Sequence, residues 1–497
     1  MAAGQGRNNV HRVLVQNGAT HVKPKVLKLI GAALAAAAVA AAPASPAHAE
    51  TAPDPEAYDA YLTDLVEATD VPGLSAVVTR GGETVFAAGY GEDSNGDPVT
   101  EHTPMRVASV SKSFTAMAVM ILVEEGAVDL DAPVADQLPG FEMADARAGE
   151  VTVRQLLDQT SGFSDTSIDV VELEDATSLE DYVSRLADDS LAADPGTDWA
   201  YCNANLNVAA RLVEVASGQS FADFMRERVF TPLGMEDSAT RDEDVMPGLG
   251  YNSLYGVWIP REEAPGFLDD SGSGGVITSA ADMGKWLISQ NGEGTQLVSA
   301  AGLDAMHTAS DVQDYGMGWS VEADGTLAHS GNLMTYNAVE WINPETGYGI
   351  AVMSTGAGLS DVTWSAMEGL AAITEGGTPA EPSSSGQVYD LVLLLATLAA
   401  IGLGVLGVVR SRRWAGKRAG RKAWRTALRM VPVLVPAVVF AGFPAGVSFI
   451  SGGRTIPWNQ MFYFALPLTL TLLAAAVAGI AVAVARAVRL KSVVSAA

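Results

Sequence analysis

Three long apolar runs near the C-terminus constrain this chain more than any other feature of its sequence. They span residues 388–409, 430–450 and 462–485. As a helix, each is long enough to cross a hydrocarbon layer of about 30 Å. Prolines lie within the second and third runs, and membrane helices tolerate proline better than soluble helices do. The sequence therefore predicts a membrane region, residues 388–497, with three transmembrane helices at these positions.

Basic residues around the apolar runs predict how the chain crosses the membrane. Nine lysines and arginines and no acid occupy residues 410–429, and three more basic residues follow the third run. The loop between the second and third runs carries Arg454 as its one charge. Because positively charged loops remain in the cytoplasm, we expect a multi-pass protein of the cell membrane. The lipid bilayer is then a partner, the large N-terminal part is extracytoplasmic and the C-terminus is cytoplasmic.

The N-terminus predicts export. Residues 1–49 hold five basic residues and no acid, include the apolar run 29–42, and end in Ala47-His48-Ala49. This pattern is typical of a cleaved secretory signal peptide. An uncleaved anchor is the alternative, although the run is short and mostly alanine. A Gly/Pro/Ser-rich linker at 375–387 then bounds an outer domain at residues 50–374.

Charge is concentrated in the outer part of the chain. The whole chain of 497 residues has a net charge of -28, yet residues 50–387 alone hold 57 acidic and 12 basic residues, a net of -45. Since phosphate binding needs a basic face, a nucleic-acid partner is excluded. We hypothesise that the acidic surface gives tolerance of high ionic strength. A generic acidic secreted domain is the alternative.

Common cofactor and metal motifs are absent from the sequence. One cysteine, Cys202, excludes an intrachain disulfide framework and any cysteine-rich metal site. There is no His-Glu-x-x-His pattern for zinc and no P-loop. We therefore expect no metal and no cofactor.

Apolar periodicity in the outer domain predicts an α+β fold. Residues 74–79 and 84–88 flank Gly81-Gly82 and predict a hairpin. Further strands are predicted at 318–321, 326–329, 338–342 and 349–354. Helices are predicted at 57–69, 111–125, 153–159, 179–186, 206–216, 221–229, 280–289 and 361–373. Strands at both ends with helices between them predict an antiparallel sheet flanked by helices, with an all-helical insert.

The candidate chemistry begins at Ser109-Val110-Ser111-Lys112, which opens an apolar helix. A serine at a helix N-terminus lies near the positive end of the helix dipole, which favours an alkoxide. A lysine three residues later projects from the same face, and burial lowers the pKa of such a lysine so that it can accept the serine proton. Only Lys112 and Lys285 occur in the outer domain. A chance match to so short a pattern is the alternative.

Seven sequence blocks resemble the serine β-lactamase and penicillin-binding-protein superfamily. The resemblance is to its branch of class C β-lactamases, D-alanyl-D-alanine carboxypeptidases and family VIII esterases. The blocks are RVASVSKSFT at 106–115, EGAVDLD at 125–131, VRQLLDQTSG at 153–162, YCN at 201–203, TPLGM at 231–235, SGGVITS at 273–279 and HSG at 329–331. The resemblance implies the β-lactamase-like fold for residues 50–374 and does not extend to the membrane region.

The resemblance also implies roles for individual residues. Ser109 is the nucleophile, Lys112 its base partner, and Tyr201 shares proton transfer with the lysine. Substrate contacts fall on Asn203, His329, Ser330 and Gly331, and the oxyanion hole on the backbone N–H groups of Ser109 and Asn332. By themselves, Asn203 also fits a helix cap and His329 an ordinary strand histidine. Relatives often have lysine at position 329 and glycine at 335, where this chain has His329 and Thr335.

Together these features predict a membrane-anchored extracytoplasmic serine hydrolase that works through an acyl-enzyme. Its substrate would be a small molecule or peptide: an ester, a D-amino-acid peptide or a β-lactam. A penicillin-binding or cell-wall-fragment-sensing protein with little turnover is the alternative.

Overall fold

The computed structural model describes residues 53–264, 266–358 and 360–495. The predicted signal peptide, residues 1–49, lies outside this part of the chain. The strands are β1 Gly73–Arg80, β2 Glu83–Gly91, β3 Met105–Arg106, β4 Gly250–Leu254, β5 Val257–Arg261, β6 Ile277–Thr278, β7 Ser320–Val321, β8 Leu327–Asn332, β9 Asn337–Asn343, β10 Tyr348–Ser354 and β11 Gly356–Ala357.

Most helices of the outer domain lie between its N-terminal and C-terminal strands, and further helices follow one another at the C-terminus. They are α1 Pro55–Thr69, α2 Ser111–Glu124, α3 Val134–Gln137, α4 Val153–Leu157, α5 Val170–Leu173, α6 Leu179–Ser184, α7 Asn203–Ser217, α8 Phe221–Phe224, α9 Thr231–Leu233, α10 Ala280–Gln290, α11 Ala300–His307, α12 Val362–Thr374, α13 Ser385–Val409, α14 Ser411–Gly416, α15 Ala423–Leu428, α16 Val431–Ala441, α17 Phe443–Ile450, α18 Trp458–Phe464 and α19 Leu466–Ser495.

Six strands of the described chain form one antiparallel sheet in the order β2-β1-β10-β9-β8-β7. Helices α1 and α12 cover one face, where Tyr58 and Leu370 pack with Ala76 and Val352. Helices α2 and α10 and the helical insert cover the other face. Because both faces are covered, β10 is buried along its whole length. The predicted α+β fold with an antiparallel sheet is confirmed.

Helix α2 is the central element of the larger core. Residues Ser111 through Leu122 are all buried, as expected for a helix that is apolar on nearly every side. Its Phe114 stacks on Trp286 of α10 with ring centroids 3.8 Å apart. Such a helix cannot shift without disrupting the core, so the residues at its N-terminus have fixed positions.

The C-terminal region departs in part from three simple spans. Helices α13 and α19 are each long and apolar enough to cross a membrane, whereas α16 and α17 meet at a bend of 57°. Proline has no N–H and clashes with the preceding turn, so Pro444 near the start of α17 accounts for the break. The third predicted run is broken after Phe464, and its long helix begins one residue before Pro467. The described chain thus has two such helices, or three if the bent pair is one span.

The β4–β5 hairpin, which the sequence did not predict, docks the outer domain on the C-terminal helices. At its tip, the Tyr255 hydroxyl lies 2.9 Å from Thr397 Oγ1 on α13. The backbone N–H of the next residue, Gly256, donates to the Asp390 side chain of α13 at 2.9 Å. At its end, Arg261 donates to the Phe462 carbonyl at 2.6 Å. The hairpin therefore fixes the two regions to each other.

The linker predicted at 375–387 is shorter in the structure. Helix α13 already begins at Ser385. Within its first turn, Gln387 donates to the Ala68 carbonyl at the end of α1, over 2.8 Å. The C-terminal end of the linker is therefore attached to the outer domain.

Candidate active site

Ser109 lies in a 3₁₀ turn, Ala108–Val110, between β3 and α2. Ala108 has a φ of 49°, an unusual value for a residue with a side chain. The strand β8 passes directly beside this turn, since a Cβ atom added at Gly331 would lie 2.1 Å from the Val107 carbonyl oxygen. Only glycine permits so close an approach, and it brings β8 alongside the Ser109 backbone.

Lys112 lies where the sequence predicted it, against Ser109. Its Nζ atom is 2.9 Å from Ser109 Oγ, and it donates to the Ser273 carbonyl oxygen at 2.7 Å. In a tight helical turn, residues three apart lie one above the other, which accounts for the contact. Lys112 is fully buried, and burial, helped by the charge of Arg454, lowers its pKa well below the usual 10.5. A neutral amine here can accept the Ser109 proton.

Tyr201 completes the group around Lys112. The Lys112 Nζ atom lies 4.8 Å from the centre of the Tyr201 ring. Burial raises the pKa of the Tyr201 phenol to about 12, although Arg454 and a hydrogen bond with Ser109 act in the opposite direction. The phenol therefore keeps its proton at neutral pH and is in position to pass a proton to or from Ser109.

Gln159, from the third of the seven sequence blocks, holds the Tyr201 segment in place. Its side-chain oxygen accepts from the Cys202 N–H at 2.9 Å and from the Asn205 amide at 2.7 Å. Its carbonyl oxygen accepts from the Ala200 N–H at 3.1 Å. Cys202 itself is buried, and burial raises the pKa of its thiol to about 12. It therefore packs as a small neutral residue rather than acting as a second nucleophile.

Asn203 faces the same cavity as Ser109. It is the first residue of α7, and the capping position belongs to Cys202, which makes no side-chain cap bond. The interpretation of Asn203 as the helix cap is therefore wrong. Its side-chain oxygen is buried without a protein hydrogen-bond partner. Ser109, Asn203 and Asn332 line one cavity of about 170 Å³, so this oxygen is placed to accept from a bound molecule.

The side chain of His329 is buried behind the cavity. Its Nε2 atom lies 3.0 Å from the Tyr315 hydroxyl and its Nδ1 atom lies 2.8 Å from the Ser330 carbonyl oxygen. The second contact requires a proton on Nδ1, so Nε2 accepts from Tyr315. Burial, with the charge of Lys112, lowers the pKa of His329 to about 3. His329 is therefore a neutral residue, and a contact of its ring with substrate stays a prediction.

The end of β8 supplies the other predicted contacts. Ser330 and Asn332 are exposed while Gly331 is buried, as expected for alternate residues of a strand. The Asn332 side chain donates to Asn337 at 2.7 Å and accepts from the Met334 N–H at 2.9 Å. These bonds fix the turn that follows β8. The oxyanion hole at the N–H groups of Ser109 and Asn332 stays a prediction, and the close approach of β8 to the Ser109 turn is consistent with it.

Thr335 stands where relatives often have glycine, and it turns inward. It is fully buried, and its hydroxyl donates to a carboxylate oxygen of Glu263. Burial raises the pKa of Glu263 to about 7. The substitution thus ties the turn after β8 to the loop after β5.

Sequence reasoning missed several residues of this site. The Ser111 hydroxyl accepts from the Val276 N–H at 2.9 Å and joins α2 to the segment that carries Ser273. Asp165 and Glu174 line the cavity with Arg454. Burial raises the pKa of Glu174 to about 7. One signal could have indicated Arg454, because it is the one charge between the second and third apolar runs.

The arrangement can transfer an acyl group. Ser109 Oγ can attack a carbonyl carbon while its proton passes to the neutral Nζ atom of Lys112. The Tyr201 phenol can then carry a proton towards the leaving group. Water can release the acyl group by the same proton transfers in reverse. The site therefore brings together three side chains that have the chemistry of a nucleophile, a base and a proton carrier.

Comparison with known proteins agrees with this geometry. The profile of a family described as Beta-lactamase matches residues 58–367. Penicillin-binding protein 4 of Amycolatopsis lactamdurans is 35% identical over 266 residues, which cover 50% of this chain and 66% of that protein. Protein flp of Staphylococcus aureus strain MW2 is 26% identical over 310 residues, which cover 60% of this chain and 62% of that protein. The match thus spans less than two thirds of either relative.

A solved structure supports the fold. The penicillin-binding protein homologue from Pyrococcus abyssi superposes with a TM-score of 0.57 at 24% identity, over 66% of this chain and 79% of that chain. The family profile covers more than half of the chain described here. The chain therefore belongs to the β-lactamase family, within the superfamily of serine β-lactamases and penicillin-binding proteins.

Proposed function

We propose that the chain is a membrane-anchored extracytoplasmic serine hydrolase that acts through an acyl-enzyme on Ser109. The observation that carries the proposal is the contact of 2.9 Å between Ser109 Oγ and Lys112 Nζ, with the lysine fully buried. Burial without a carboxylate partner favours the neutral form of an amine, and a neutral amine in contact with a serine hydroxyl can act as a base. Esters, D-amino-acid peptides and β-lactams are the substrate classes.

Among these substrates we favour a peptide or an ester over a β-lactam hydrolysed at high rate. The third motif begins with His329, which is buried and neutral. It therefore supplies no positive charge for the carboxylate that β-lactams carry. The apolar C-terminal helices also support an enzyme held at the membrane, close to the precursors and polymers of the cell envelope.

The test uses the full chain in detergent micelles, with three probes. They are a fluorescent penicillin, a p-nitrophenyl ester and a peptide ending in two D-alanines. We expect Ser109 to be acylated by the penicillin and at least one of the other two to be hydrolysed. The Ser109→Ala variant should show neither reaction. If the wild-type protein and Ser109→Ala behave alike with all three probes, the proposal fails.

The contact between the cavity and the C-terminal region favours a second candidate, a sensor with little turnover. Arg454 and Thr455, which precede α18, line the cavity that contains Ser109. Occupancy of the cavity could thus be communicated to the helices. Mass spectrometry of the intact protein separates the candidates. A hydrolase returns to its free mass within minutes of acylation by the ester, whereas a sensor stays acylated.

A further inference from the structure

The loop between α17 and α18, residues 451–457, lies against the outer domain at the active site. Arg454 and Thr455 of this loop line the same cavity as Ser109 and Asn203. The Arg454 side chain keeps 33% of its surface exposed. A residue from the C-terminal helical region therefore forms part of the wall of a cavity that otherwise belongs to the outer domain.

Arg454 makes three contacts there, and two of them are with Tyr201. Its Nη1 atom donates to the Tyr201 carbonyl oxygen at 3.1 Å, and its guanidinium carbon lies 4.9 Å from the centre of the Tyr201 ring. Its Nε atom lies 3.1 Å from Asp165 Oδ2. Arg454 thus holds both the backbone and the ring of the tyrosine.

The neighbouring threonine fastens the loop at the same point. The Thr455 N–H donates to Asp165 Oδ2 at 3.2 Å, and its hydroxyl donates to the Asp165 carbonyl oxygen at 3.1 Å. Asp165 is buried to 8% exposure. A buried carboxylate that is paired with arginine and bonded to a backbone N–H is costly to leave alone. The loop therefore supplies partners for the buried Asp165 carboxylate.

Two basic side chains face the ring of Tyr201. Lys112 Nζ lies 4.8 Å from the ring centre and the Arg454 guanidinium carbon 4.9 Å. The charge of Arg454 lowers the pKa of Lys112 and that of Tyr201. The other groups that act on Lys112 are Asp165 and Cys202, and both raise its pKa. Arg454 is therefore the one facing charge that favours the neutral lysine.

We propose that Arg454 is a positioning residue for acyl transfer, which holds Tyr201 beside Lys112 and is supplied to the active site by the C-terminal helical region. This inference rests on the proposed function. Arg454 exchanges no proton and forms no bond in the reaction. The Ser109 proton still passes to Lys112 as the bond from Oγ to the carbonyl carbon forms. Arg454 acts on the two residues that move protons: it fixes the position of Tyr201, and its charge acts on both Tyr201 and Lys112.

The experiment measures the rate of labelling by fluorescent penicillin between pH 5 and pH 10 on the full chain in detergent. The variants are Arg454→Ala, Arg454→Gln and Arg454→Lys. Loss of the positive charge raises the pKa of Lys112, so the base is protonated up to a higher pH. We expect Arg454→Ala to lower the rate at pH 7 at least tenfold and to move the acid limb of the profile to higher pH. Arg454→Lys should return the limb towards its wild-type position.

Arg261→Ala is the matched control. Arg261 also joins the two regions, through the Phe462 carbonyl and the Tyr463 ring at 3.6 Å, but it does not line the Ser109 cavity. A loop with a merely structural role would give Arg261→Ala and Arg454→Ala the same loss of rate and no shift of the limb. That result would overturn the inference.

Arg454→Gln keeps a donor and loses the charge, so it must show the shift even if Arg454→Ala fails to fold. An unshifted limb in Arg454→Gln, with normal labelling of the wild type, also overturns the inference. If the wild-type protein is not labelled at all and hydrolyses none of the other probes, the proposed function fails instead. The two failures are therefore distinguishable.

Discussion

The two lysines of the outer domain differ in burial, and this difference decides which of them is a candidate base. Lys112 is fully buried beside Ser109. Lys285 has a side chain that is 41% exposed and lies 2.8 Å from Asp282. Burial without a carboxylate partner disfavours the charged form of a lysine, and of these two lysines this applies to Lys112. Residue type alone therefore does not distinguish the candidate base, but burial does.

We predict that Lys112→Ala lowers the rate of Ser109 acylation by about 10²- to 10⁴-fold, the usual contribution of a general base. Stopped-flow labelling with fluorescent penicillin measures this rate. Lys285→Ala removes the only other lysine of residues 50–387 and should label at the wild-type rate. Equal rates for Lys112→Ala and the wild type would contradict the assignment of the base.

At the scale of elements, the sheet carries a buried acid that contacts helix α2. Glu340 of β9 is fully buried, and Trp286 of α10 donates to its side-chain oxygen at 2.9 Å. Burial raises its pKa from 4.5 to about 8, against hydrogen bonds from Ser113 and Trp286. This side chain is therefore protonated at neutral pH and joins the sheet to two helices.

The raised pKa makes stability depend on pH. Between about pH 4.5 and pH 8 the unfolded chain has released a proton that folded Glu340 still holds. Stability therefore falls as pH rises across this window, by about 1.4 kcal/mol per pH unit for one group. We predict that Glu340→Gln flattens this dependence and raises the melting temperature at pH 8 relative to the wild type.

Thermal unfolding of the full chain in detergent, followed at several pH values, measures the effect. Glu345→Gln, in the exposed turn between β9 and β10, is the control and should leave the pH dependence unchanged. A parallel loss of stability with pH in Glu340→Gln and the wild type would show that another group controls it.

The sequence predicted those elements whose pattern is local. The hairpin of β1 and β2, the apolar helix α2 and the closing helix α12 all lie within a few residues of their predicted bounds. Ser109, Lys112 and Tyr201 come together as the resemblance implied. These features depend on periodicity or on motifs of a few residues, which a sequence displays directly.

Contacts between distant segments could not be predicted in the same way. The β4–β5 hairpin contains a proline, Pro260, and its apolar and polar residues do not alternate regularly. Its partners are helices that begin more than a hundred residues later in the chain. Arg454 was visible as an isolated charge, but its contact with Tyr201 spans 253 residues. Pairings over such distances depend on the assembled fold, not on any local pattern.

For the whole molecule, the uneven distribution of charge has a testable consequence. A net charge of -45 in residues 50–387 repels itself in the folded state, and salt screens this repulsion. The screening length falls from about 10 Å at 0.1 M to about 3 Å at 1 M salt. We predict that the melting temperature of the full chain rises with sodium chloride over this range.

Chloride is the suitable anion for this measurement, because sulfate also strengthens apolar burial. A non-ionic osmolyte at matched osmolality serves as the control, and should raise the melting temperature less than the salt does. A melting temperature that is flat or falls with sodium chloride would contradict the hypothesis of an acidic surface adapted to high ionic strength.

The docking of the outer domain on the C-terminal helices also limits how far Ser109 can move. A flexible linker of 13 residues has an end-to-end distance of about 20 Å, and a domain held only by such a linker could move over that distance. Here the hairpin, Gln387 and Arg454 fasten the domain at three separate places. Ser109 is thus held at a constant distance from the C-terminal helices. A hydrolase anchored as proposed could not search its surroundings, and its substrates would have to be delivered to Ser109 at that distance from the membrane.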